Sequence, residues 1–292
     1  MDELAVPSPS KINLYLEVLG RRDDGYHEIR SIAVLTELCD TVVLARRASG
    51  ITVAAANPEV PTGPANLCHR AAELVLRRCG VRAGVAIRIE KAIPIAGGMG
   101  GGSSNAAATL WGLNLLNGLG LPRDALMRLG AEVGSDVPLF FSRGAAFVSG
   151  RGEQVEELPA LRPRWLVIAN PGMQISTASV YQRLRLPLTS EETGSRMRAL
   201  FQSGEEEAAL SCCFNRLEDV VLTAFPPVAA LKQRLSSGGA SPVLVSGSGP
   251  TVFGVTEGPE MARRLAADLA KAGIKALACR TVKSNPMLMS LQ

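Results

Sequence analysis

Apolar and polar side chains alternate without a break from residue 11 to residue 18. Alternation of this kind places successive side chains on opposite faces of an extended strand. The sequence GRRDDGYH that follows is rich in glycine and charge, and it predicts a turn. Further strands of the first half are predicted near 29–38, 41–45, 85–91 and 145–149.

Apolar periodicity predicts three helices in the same half of the chain. Asn66 is a suitable N-cap for the first helix, which is expected to end at Gly80. The second helix runs from about Ser103 to Asn117 and is apolar nearly all round, so we expect it to be buried. The third is the segment PRDALMRLGAEVG, with a proline at its start and a glycine at its end.

The stretch from 150 to 163 is polar and contains glycine and proline, which is typical of a boundary between domains. We therefore divide the chain into an N-terminal domain, 1–155, and a C-terminal domain, 156–292, and the division leaves the last few residues room to pack back on the first. The mixed order of helices and strands predicts an α+β fold. The elements predicted beyond the boundary are strands at 165–169, 242–246, 251–256 and 275–282, and helices at 177–184, 195–202, 206–212, 215–223, 228–236 and 259–272.

Composition narrows the class of protein. The net charge is +4 and basic residues are scattered, which gives no support to nucleic-acid binding but suits a small anionic ligand. No apolar run is long enough to span a membrane. The six cysteines form no C-x-x-C pair and only two histidines occur, so the usual zinc spacings are excluded. Because MDELAVPSPS at the start also lacks a signal pattern, we expect a cytoplasmic protein with reduced cysteines.

The segment PIAGGMGGGSSNAAAT, residues 94–109, brings five glycines in six positions to the start of a predicted helix. Backbone without Cβ atoms can approach a phosphate closely, and the first N–H groups of a helix have no partner within it. Ser103 and Ser104 add hydroxyls that can reach a phosphate oxygen or a magnesium ion. The order of strand, glycine loop and helix predicts a phosphate-binding nest, with a tight connection that binds nothing as the alternative.

The sequence does not fit three common motifs of nucleotide-binding and acyl-transfer sites. The P-loop requires a lysine after its last glycine, and none follows Gly102. The dinucleotide motif G-x-G-x-x-G requires a glycine where this chain has Ser103. Ser8 and Lys11 match S-x-x-K, but the prolines at 7 and 9 disfavour the helix that an acyl-transfer site of that type needs. The residues alone therefore predict a phosphate nest of neither standard type.

Several side chains outside the loop are candidates for chemistry. Lys11 and Asn13, two residues apart, share one face of their strand, although a solvated lysine is the ordinary alternative. Asp136 follows a helix end among apolar residues, which is consistent with either a turn cap or a base. Tyr26 and His27 end a turn, where side chains are often presented to ligands.

Several motifs taken together resemble the GHMP kinases, the superfamily of galactokinase, homoserine kinase, mevalonate kinase and phosphomevalonate kinase. The glycine loop resembles its second motif, PSPSKINLYLEV its N-terminal motif and LVSGSGPTVFGV its C-terminal motif. Closer still, DDGYHE, GGGSSNAA, GSDVPLFF, NPGMQISTASVY and FNRLEDVV resemble the branch whose substrate is a cytidine-diphosphate-linked methylerythritol alcohol of the non-mevalonate isoprenoid pathway. The resemblance covers nearly the whole chain. It implies a ribosomal-S5-like N-terminal domain and a ferredoxin-like C-terminal domain, with the active site between them.

The resemblance also implies roles for individual side chains. Asp136 matches the catalytic base of the family and Lys11 its catalytic lysine. Tyr26 and Tyr181 match two aromatic residues that sandwich the cytosine, with His27 reading its hydrogen-bonding edge. The other residues implied at the substrate are Asn13 and Thr177.

ATP and Mg²⁺ are the implied cofactors. The adenine is expected near Asn66, and Ser103 is the implied metal ligand. The ATP phosphates are expected to lie along Pro94, Ile95, Ala96, Gly97, Gly98, Met99, Gly100, Gly101, Gly102, Ser103 and Ser104.

Two positions depart from the family pattern. Ala96 stands where relatives often have glycine, which is tolerable if its φ angle is negative. Ala33 stands where a larger and often aromatic residue is expected, so the pocket wall there is expected to differ.

The partners implied are ATP and a cytidine-diphosphate substrate, without nucleic acid or membrane, in a monomer or weak homodimer. Two alternatives stay open: a GHMP kinase for another alcohol, such as mevalonate or homoserine, and a nucleotide-binding sensor without catalysis. Tyr26, His27 and Tyr181 favour a substrate that carries a base, and the presence of both Lys11 and Asp136 argues against the sensor.

Overall fold

The computed structural model describes residues 2–185 and 191–290, and within them two sheets carry the fold. The first sheet has the order β3-β4-β2-β1-β8, with β5 paired to β2 and β6 paired to β5. Its strands are β1 (Glu3–Arg21), β2 (His27–Arg47), β3 (Ile51–Ala55), β4 (Gly84–Glu90), β5 (Ala145–Gly150), β6 (Gln154–Leu158) and β8 (Phe214–Asn215).

The second sheet has the order β11-β7-β10-β9 and is antiparallel throughout. Its strands are β7 (Trp165–Asn170), β9 (Val243–Val245), β10 (Val252–Thr256) and β11 (Lys275–Arg280). The helices are α1 (Leu67–Arg78), α2 (Gly101–Leu116), α3 (Arg123–Val133), α4 (Thr177–Arg183), α5 (Glu191–Ser203), α6 (Glu206–Ser211), α7 (Glu218–Ala224), α8 (Pro226–Ser237), α9 (Pro259–Lys271) and α10 (Pro286–Met289), with a 3-10 helix at Pro138–Phe141.

A long antiparallel hairpin of β1 and β2 forms the centre of the first sheet. The two strands predicted at 29–38 and 41–45 are a single strand, β2. Residues on both faces of β1 are buried: Lys11, Asn13 and Glu17 are 5%, 6% and 0% exposed. Leu16 and Val18 pack in one core cluster with residues of the second half. Strict alternation predicts a strand with one wet face, so here the sequence pattern understates the burial.

The first-half helices form as predicted, with one shift. The Asn66 side chain caps α1 by accepting a hydrogen bond from the backbone N–H of Cys68 at 2.8 Å. Helix α3 lies between Pro122 and Gly134. Helix α2 begins at Gly101, two residues before the predicted start, and is buried along most of its length. The strands β3, β6 and β8 and the short helix α10 were not predicted, because each is short and has no periodic signal of its own.

The predicted boundary stretch, 150–163, contains strand β6, which pairs with β5 in the first sheet. A division after residue 155 would cut this strand, so we propose a later division, in the segment between Leu158 and Trp165. The predicted helix at 215–223 is also shorter than expected, because Phe214 and Asn215 pair with β1 before α7 begins.

The chain returns to the first half near its end. Asn285 donates hydrogen bonds to the carbonyl oxygens of Phe140 and Ser142 at 2.7 and 2.8 Å. Met287, two residues later, is buried in the same apolar core as α1 and α2. Leu291 and Gln292, which the expectation for the last few residues includes, lie outside the described residues. Among the described residues, no helix is both long enough and apolar enough to cross a membrane.

Replacing Met287 by alanine tests how firmly this returning segment is held. We expect Met287→Ala to lower the free energy of unfolding by about 2–5 kcal/mol, because it opens a cavity in the apolar core beneath α1 and α2. Urea unfolding followed by circular dichroism measures the change. Met289→Ala is the matched control, since that side chain is 60% exposed, and a similar loss from both variants would contradict the packing.

Candidate active site

One cleft of about 1440 Å³ collects almost all of the predicted site residues. Strand β1, the β1–β2 turn, the glycine loop, the turn before the 3-10 helix, α4 and the loop after β9 all contribute to its walls. The predicted residues that line it are Lys11, Asn13, Tyr26, His27, Asn66, Asp136, Thr177, Tyr181 and every residue from Pro94 to Ser103. Ser104 does not line the cleft.

The glycines of the loop are required by backbone conformation and by close approach. Gly98 and Gly100 have φ angles of +75° and +71°, in the left-handed region that glycine tolerates. A Cβ on Gly98 would lie 2.0 Å from the carbonyl oxygen of Ser246, and one on Gly100 would lie 2.7 Å from the ring of Phe140. The loop is therefore pressed between the two halves of the chain, and substitution at either glycine would displace it.

The loop ends in a helix start that suits an anion. Helix α2 begins at Gly101 directly after the left-handed Gly100, and its first turn contains no acidic residue. The first N–H groups of a helix have no partner inside it, and together with the helix dipole they attract negative charge. Because Gly101, Gly102 and Ser103 line the cleft, this arrangement matches the predicted phosphate nest.

Ala96 does not have the negative φ angle that would make alanine tolerable in place of glycine. Its φ angle is +50°, so it is the one non-glycine residue with positive φ in the described part of the chain. A left-handed conformation costs a residue with a Cβ roughly 1–2 kcal/mol. The surrounding loop therefore holds Ala96 in a strained conformation.

The structure does not support the predicted contact of the Ser104 side chain with the ATP phosphates, because this residue does not line the cleft. Its side chain is buried, and its hydroxyl accepts a hydrogen bond from the Ser8 hydroxyl at 2.8 Å. Ser103 faces the cleft instead, because successive residues of a helix point in directions 100° apart. Only the first of the two adjacent serines is therefore available to a ligand.

Below the loop lies a buried carboxylate that sequence reasoning missed, Asp40. One of its oxygens accepts from the backbone N–H groups of Ala92 and Ile93 at 2.7 and 2.8 Å. The other accepts from the Lys91 ammonium and from the Asn105 side chain. These bonds join β2 to the start of the loop and to α2, so Asp40 fixes both ends of the nest. No signal in the sequence distinguishes it from a surface aspartate on a strand.

Lys11 is removed from water. Its side chain is 5% exposed, and its Nζ donates to Oδ1 of Asn13 at 2.5 Å. Burial lowers the pKa of Lys11, and the negative charge of Asp136 opposes that shift. The solvated lysine considered from the sequence is therefore excluded.

Asp136 lies in the turn between α3 and the 3-10 helix, beside the backbone of Gly152. Although its charge acts on Lys11, no ion pair within 4.0 Å joins these two described residues. Both side chains nevertheless line the same cleft. A carboxylate and an ammonium that line one cleft suit a reaction in which a bound group loses a proton while a negatively charged group is transferred.

The aromatic side chains gather at another part of the cleft. The rings of His27 and Tyr181 lie 4.8 Å apart between centroids, tilted by 33°. Burial lowers the pKa of His27, with a smaller contribution from the charge of Arg21, so the imidazole is favoured in its neutral form. Burial likewise raises the pKa of Tyr181. Tyr26 is 50% exposed, and the guanidinium of Arg151 lies 5.1 Å from its ring centroid. Arg151 also lines the cleft and was not predicted.

Asn66 and Thr177 form hydrogen bonds inside the protein, and Ala33 is buried in a core cluster. The Asn66 amide, besides capping α1, donates to the carbonyl oxygen of Pro61 at 2.6 Å, so its side chain is committed to the fold. The hydroxyls of Thr177 and Ser248 lie 2.8 Å apart. Ala33 does not form the pocket wall, because it is buried in a small core cluster away from the cleft.

Replacing Gly98 by alanine tests the close approach of the glycine loop to the carbonyl oxygen of Ser246. We expect Gly98→Ala to lower the free energy of unfolding by about 2–4 kcal/mol, because it adds both a backbone clash and positive-φ strain. Ala96→Gly is the matched control at a neighbouring positive-φ position, and it should not lower that free energy, because relief of the strain offsets the greater freedom of glycine in the unfolded chain. Equal destabilisation by the two variants in urea unfolding would contradict the geometry.

Family models match the chain in two places. The model described as GHMP kinases N terminal domain matches residues 66–144, and the one described as GHMP kinases C terminal matches residues 197–275. The 4-diphosphocytidyl-2-C-methyl-D-erythritol kinase of Shouchella clausii (strain KSM-K16) is 43% identical over 265 residues, which cover 89% of this chain and 88% of the relative. The enzyme of the same name from Bacillus cereus (strain AH187) is 43% identical over 254 residues, covering 87% and 88%.

Solved structures agree with the sequence relatives. A crystal structure of 4-(cytidine 5'-diphospho)-2C-methyl-D-erythritol kinase matches with a TM-score of 0.79 and 34% identity, covering 95% of this chain and 98% of that chain. A homoserine kinase from Cytophaga hutchinsonii ATCC 33406 has the same TM-score of 0.79 at 15% identity, covering 98% and 96%, and shows the fold alone. The expected α+β GHMP kinase fold is thereby confirmed. The chain belongs to the GHMP kinases and, within them, to the family of the 4-diphosphocytidyl-2-C-methyl-D-erythritol kinases.

Proposed function

We propose that this kinase transfers the γ-phosphoryl group of ATP to the 2-hydroxyl of 4-diphosphocytidyl-2-C-methyl-D-erythritol, in the non-mevalonate route to isoprenoid precursors. The observation that carries the proposal is the content of one cleft: a glycine nest, a buried ammonium, a carboxylate and an aromatic group. The names of the relatives support the same substrate.

Phosphoryl transfer needs an alcohol in line with the phosphate, a group that accepts its proton, and positive charge near the transferred oxygens. Asp136 is the proposed base, since its carboxylate faces the cleft without an ion pair to Lys11. Lys11 is the proposed charge that stabilises the transferred group. An ammonium that is shielded from water interacts more strongly with a phosphate than a solvated one does.

The aromatic group supports a substrate that carries a base. His27, Tyr26 and Tyr181 line the same cleft as the proposed catalytic pair. A neutral imidazole has one donor and one acceptor nitrogen, which suits the mixed edge of a cytosine. Mevalonate and homoserine have no ring to stack, so these side chains favour the cytidine substrate over the alcohols of related kinases.

A magnesium ion fits this donor set in a limited way. Mg²⁺ with nucleotides is held chiefly by phosphate oxygens and water, with one or two protein oxygens. In the part of the chain that the structure describes, no three acidic, histidine or cysteine side chains gather as a ready-made cage. The Ser103 hydroxyl, at the first turn of α2, is the proposed protein ligand. When bound, the ion supplies neutralising charge on the phosphates of ATP.

Two further expectations remain predictions. A monomer or weak homodimer is proposed for the assembly, with ATP and the cytidine substrate as the small-molecule partners. A cytoplasmic location is proposed as well, and the six free cysteines agree with it.

Substrate choice is tested by coupled ADP release with three alcohols. We expect turnover with the cytidine-diphosphate substrate and at most traces with mevalonate or homoserine, because only the first has a base that can stack on Tyr26, His27 and Tyr181. Measured kcat/KM values for the three at saturating ATP give the comparison. Turnover of mevalonate or homoserine alone would overturn the proposal, and ATP binding without turnover of any alcohol would favour a sensor.

Replacing Asp136 by asparagine tests the base. We expect Asp136→Asn to lower kcat by about 10²–10⁴-fold, the usual contribution of a general base. The dissociation constant of ATP, measured by isothermal titration, should change little, because the nest is untouched. A variant that kept a near-normal kcat would remove Asp136 from this role.

Replacing Tyr181 tests the stacking site. Aromatic stacking on a base contributes about 1–3 kcal/mol, so Tyr181→Ala should raise the KM of the cytidine substrate roughly 5–150-fold. The KM of ATP should stay near its wild-type value. Tyr181→Phe is the control, because it keeps the ring. An unchanged KM in Tyr181→Ala would exclude Tyr181 from the cytosine site.

A further inference from the structure

Asn215 joins the strand that carries the proposed catalytic lysine. The short strand β8 runs parallel to β1, with Leu16 opposite Asn215, and the N–H of Arg216 donates to the carbonyl oxygen of Leu16 at 2.8 Å. Asn215 is 2% exposed. Its backbone is therefore fixed on β1, the strand from which Lys11 projects.

The side chain of Asn215 reaches the other sheet. Its Nδ2 donates to the carbonyl oxygens of Val245 and Gly247, both at 2.8 Å. Its Oδ1 accepts from the N–H of Leu217 at 2.9 Å. An amide has two N–H donors, and both are used on the end of β9 and the loop that follows it. The side chain thus connects β1 to that loop.

Gly247, one of the two acceptors, lies over the lysine. It has a φ angle of +56°, and a Cβ built on it would lie 3.4 Å from Nζ of Lys11 and 3.5 Å from Oδ1 of Asn13. The backbone of Gly247 therefore covers the ammonium and its hydrogen-bond partner. Asp136 is the charged group that acts on Lys11, whereas Asn13 and Gly247 are neutral.

We infer that Asn215 is a positioning residue for phosphoryl transfer, which holds the backbone of Gly247 over Lys11 and so keeps the ammonium dry and directed at the transferred group. The inference rests on the proposed kinase reaction. Without the amide, the carbonyl oxygens of Val245 and Gly247 lose this donor, and leaving buried polar groups unpaired is unfavourable. The loop after β9 then moves toward water, and water reaches Lys11.

Two substitutions remove the connection to different extents. Asn215→Leu has a similar size and no hydrogen bonds, and Asn215→Ser keeps one donor and perturbs the fold less, so it carries the test if the leucine variant does not fold. We expect kcat per folded molecule to fall about tenfold or more, with KM values for both substrates within about threefold, as for a contribution made in the transition state.

The pH profile supplies a second readout. Because burial lowers the pKa of Lys11, hydration of the ammonium should return that pKa toward the ordinary lysine value. The alkaline limb of kcat should therefore move to higher pH in both Asn215 variants. An unmoved limb together with a normal kcat would overturn the inference, while the proposed function would stand on wild-type turnover.

Asn114 offers a matched control. It is 7% exposed, and its amide bonds the N–H and the carbonyl oxygen of Leu121 at 2.9 and 3.1 Å, outside the cleft. Asn114→Leu and Asn114→Ser remove equivalent bonds to backbone. They should lower the free energy of unfolding but leave kcat and the alkaline limb unchanged. The same kinetic changes in the Asn114 variants would mean that general destabilisation explains the effect.

A labelling experiment tests the cover on Lys11 without enzyme turnover. Brief acetylation by acetyl N-hydroxysuccinimide ester, with peptide mass spectrometry, gives the modification rate of this one lysine. With rates expressed per neutral amine from the pKa of each variant, we expect slow labelling in the wild type and the Asn114 variants, and labelling faster by about tenfold or more in the Asn215 variants, since reaction requires solvent access. Equal rates in wild type and Asn215→Leu would overturn the inference even if the proposed substrate proved wrong.

Discussion

The buried ammonium of Lys11 is the constraint on which the site depends. Removing an ion from water costs several kcal/mol, and an opposing charge or strong hydrogen bonds must compensate for it. Here Asn13 accepts one bond at 2.5 Å, the negative charge of Asp136 favours the charged lysine, and the backbone of Gly247 lies beside the ammonium. Strand β1, the turn before the 3-10 helix and the loop after β9 meet only if the whole chain folds. The charge is therefore assembled by the tertiary structure rather than by any local motif.

Asp40, another buried charge, shows how an ion that is fully hydrogen-bonded inside the protein supports the fold. Its two oxygens accept four hydrogen bonds from two backbone N–H groups, a lysine and an asparagine. A carboxylate with that many donors is stabilised and has little left for chemistry. It fixes the glycine loop from below, while Ser246 donates to the carbonyl oxygen of Gly98 at 3.0 Å from the other side. The glycine loop is thus held from both sides, and a loop ordered in advance lowers the ordering cost of binding a ligand.

The sequence predicts most of what is local. Alternation located β1, periodicity located α1 to α3, and the order of strand, glycines and helix located the glycine loop before α2, because each depends on neighbouring residues. What failed depends on residues far apart in the chain. Ser104 bonds to Ser8 across 96 positions, and the two-residue strand at Asn215 forms only because β1 lies beside it. The positive φ of Ala96 follows from a loop held at both ends, which no local pattern reveals.

The ionisation of Lys11 in the free protein is the most direct test of this account. Nuclear magnetic resonance of ¹³C,¹⁵N-lysine across a pH titration, with Lys11→Arg to assign the signal, measures the pKa. The account predicts a pKa below the ordinary lysine value, because burial is the largest influence, and a still lower pKa in Asp136→Asn, because that carboxylate raises it. A Lys11 that titrates at the ordinary value and does not respond to Asp136→Asn would contradict it.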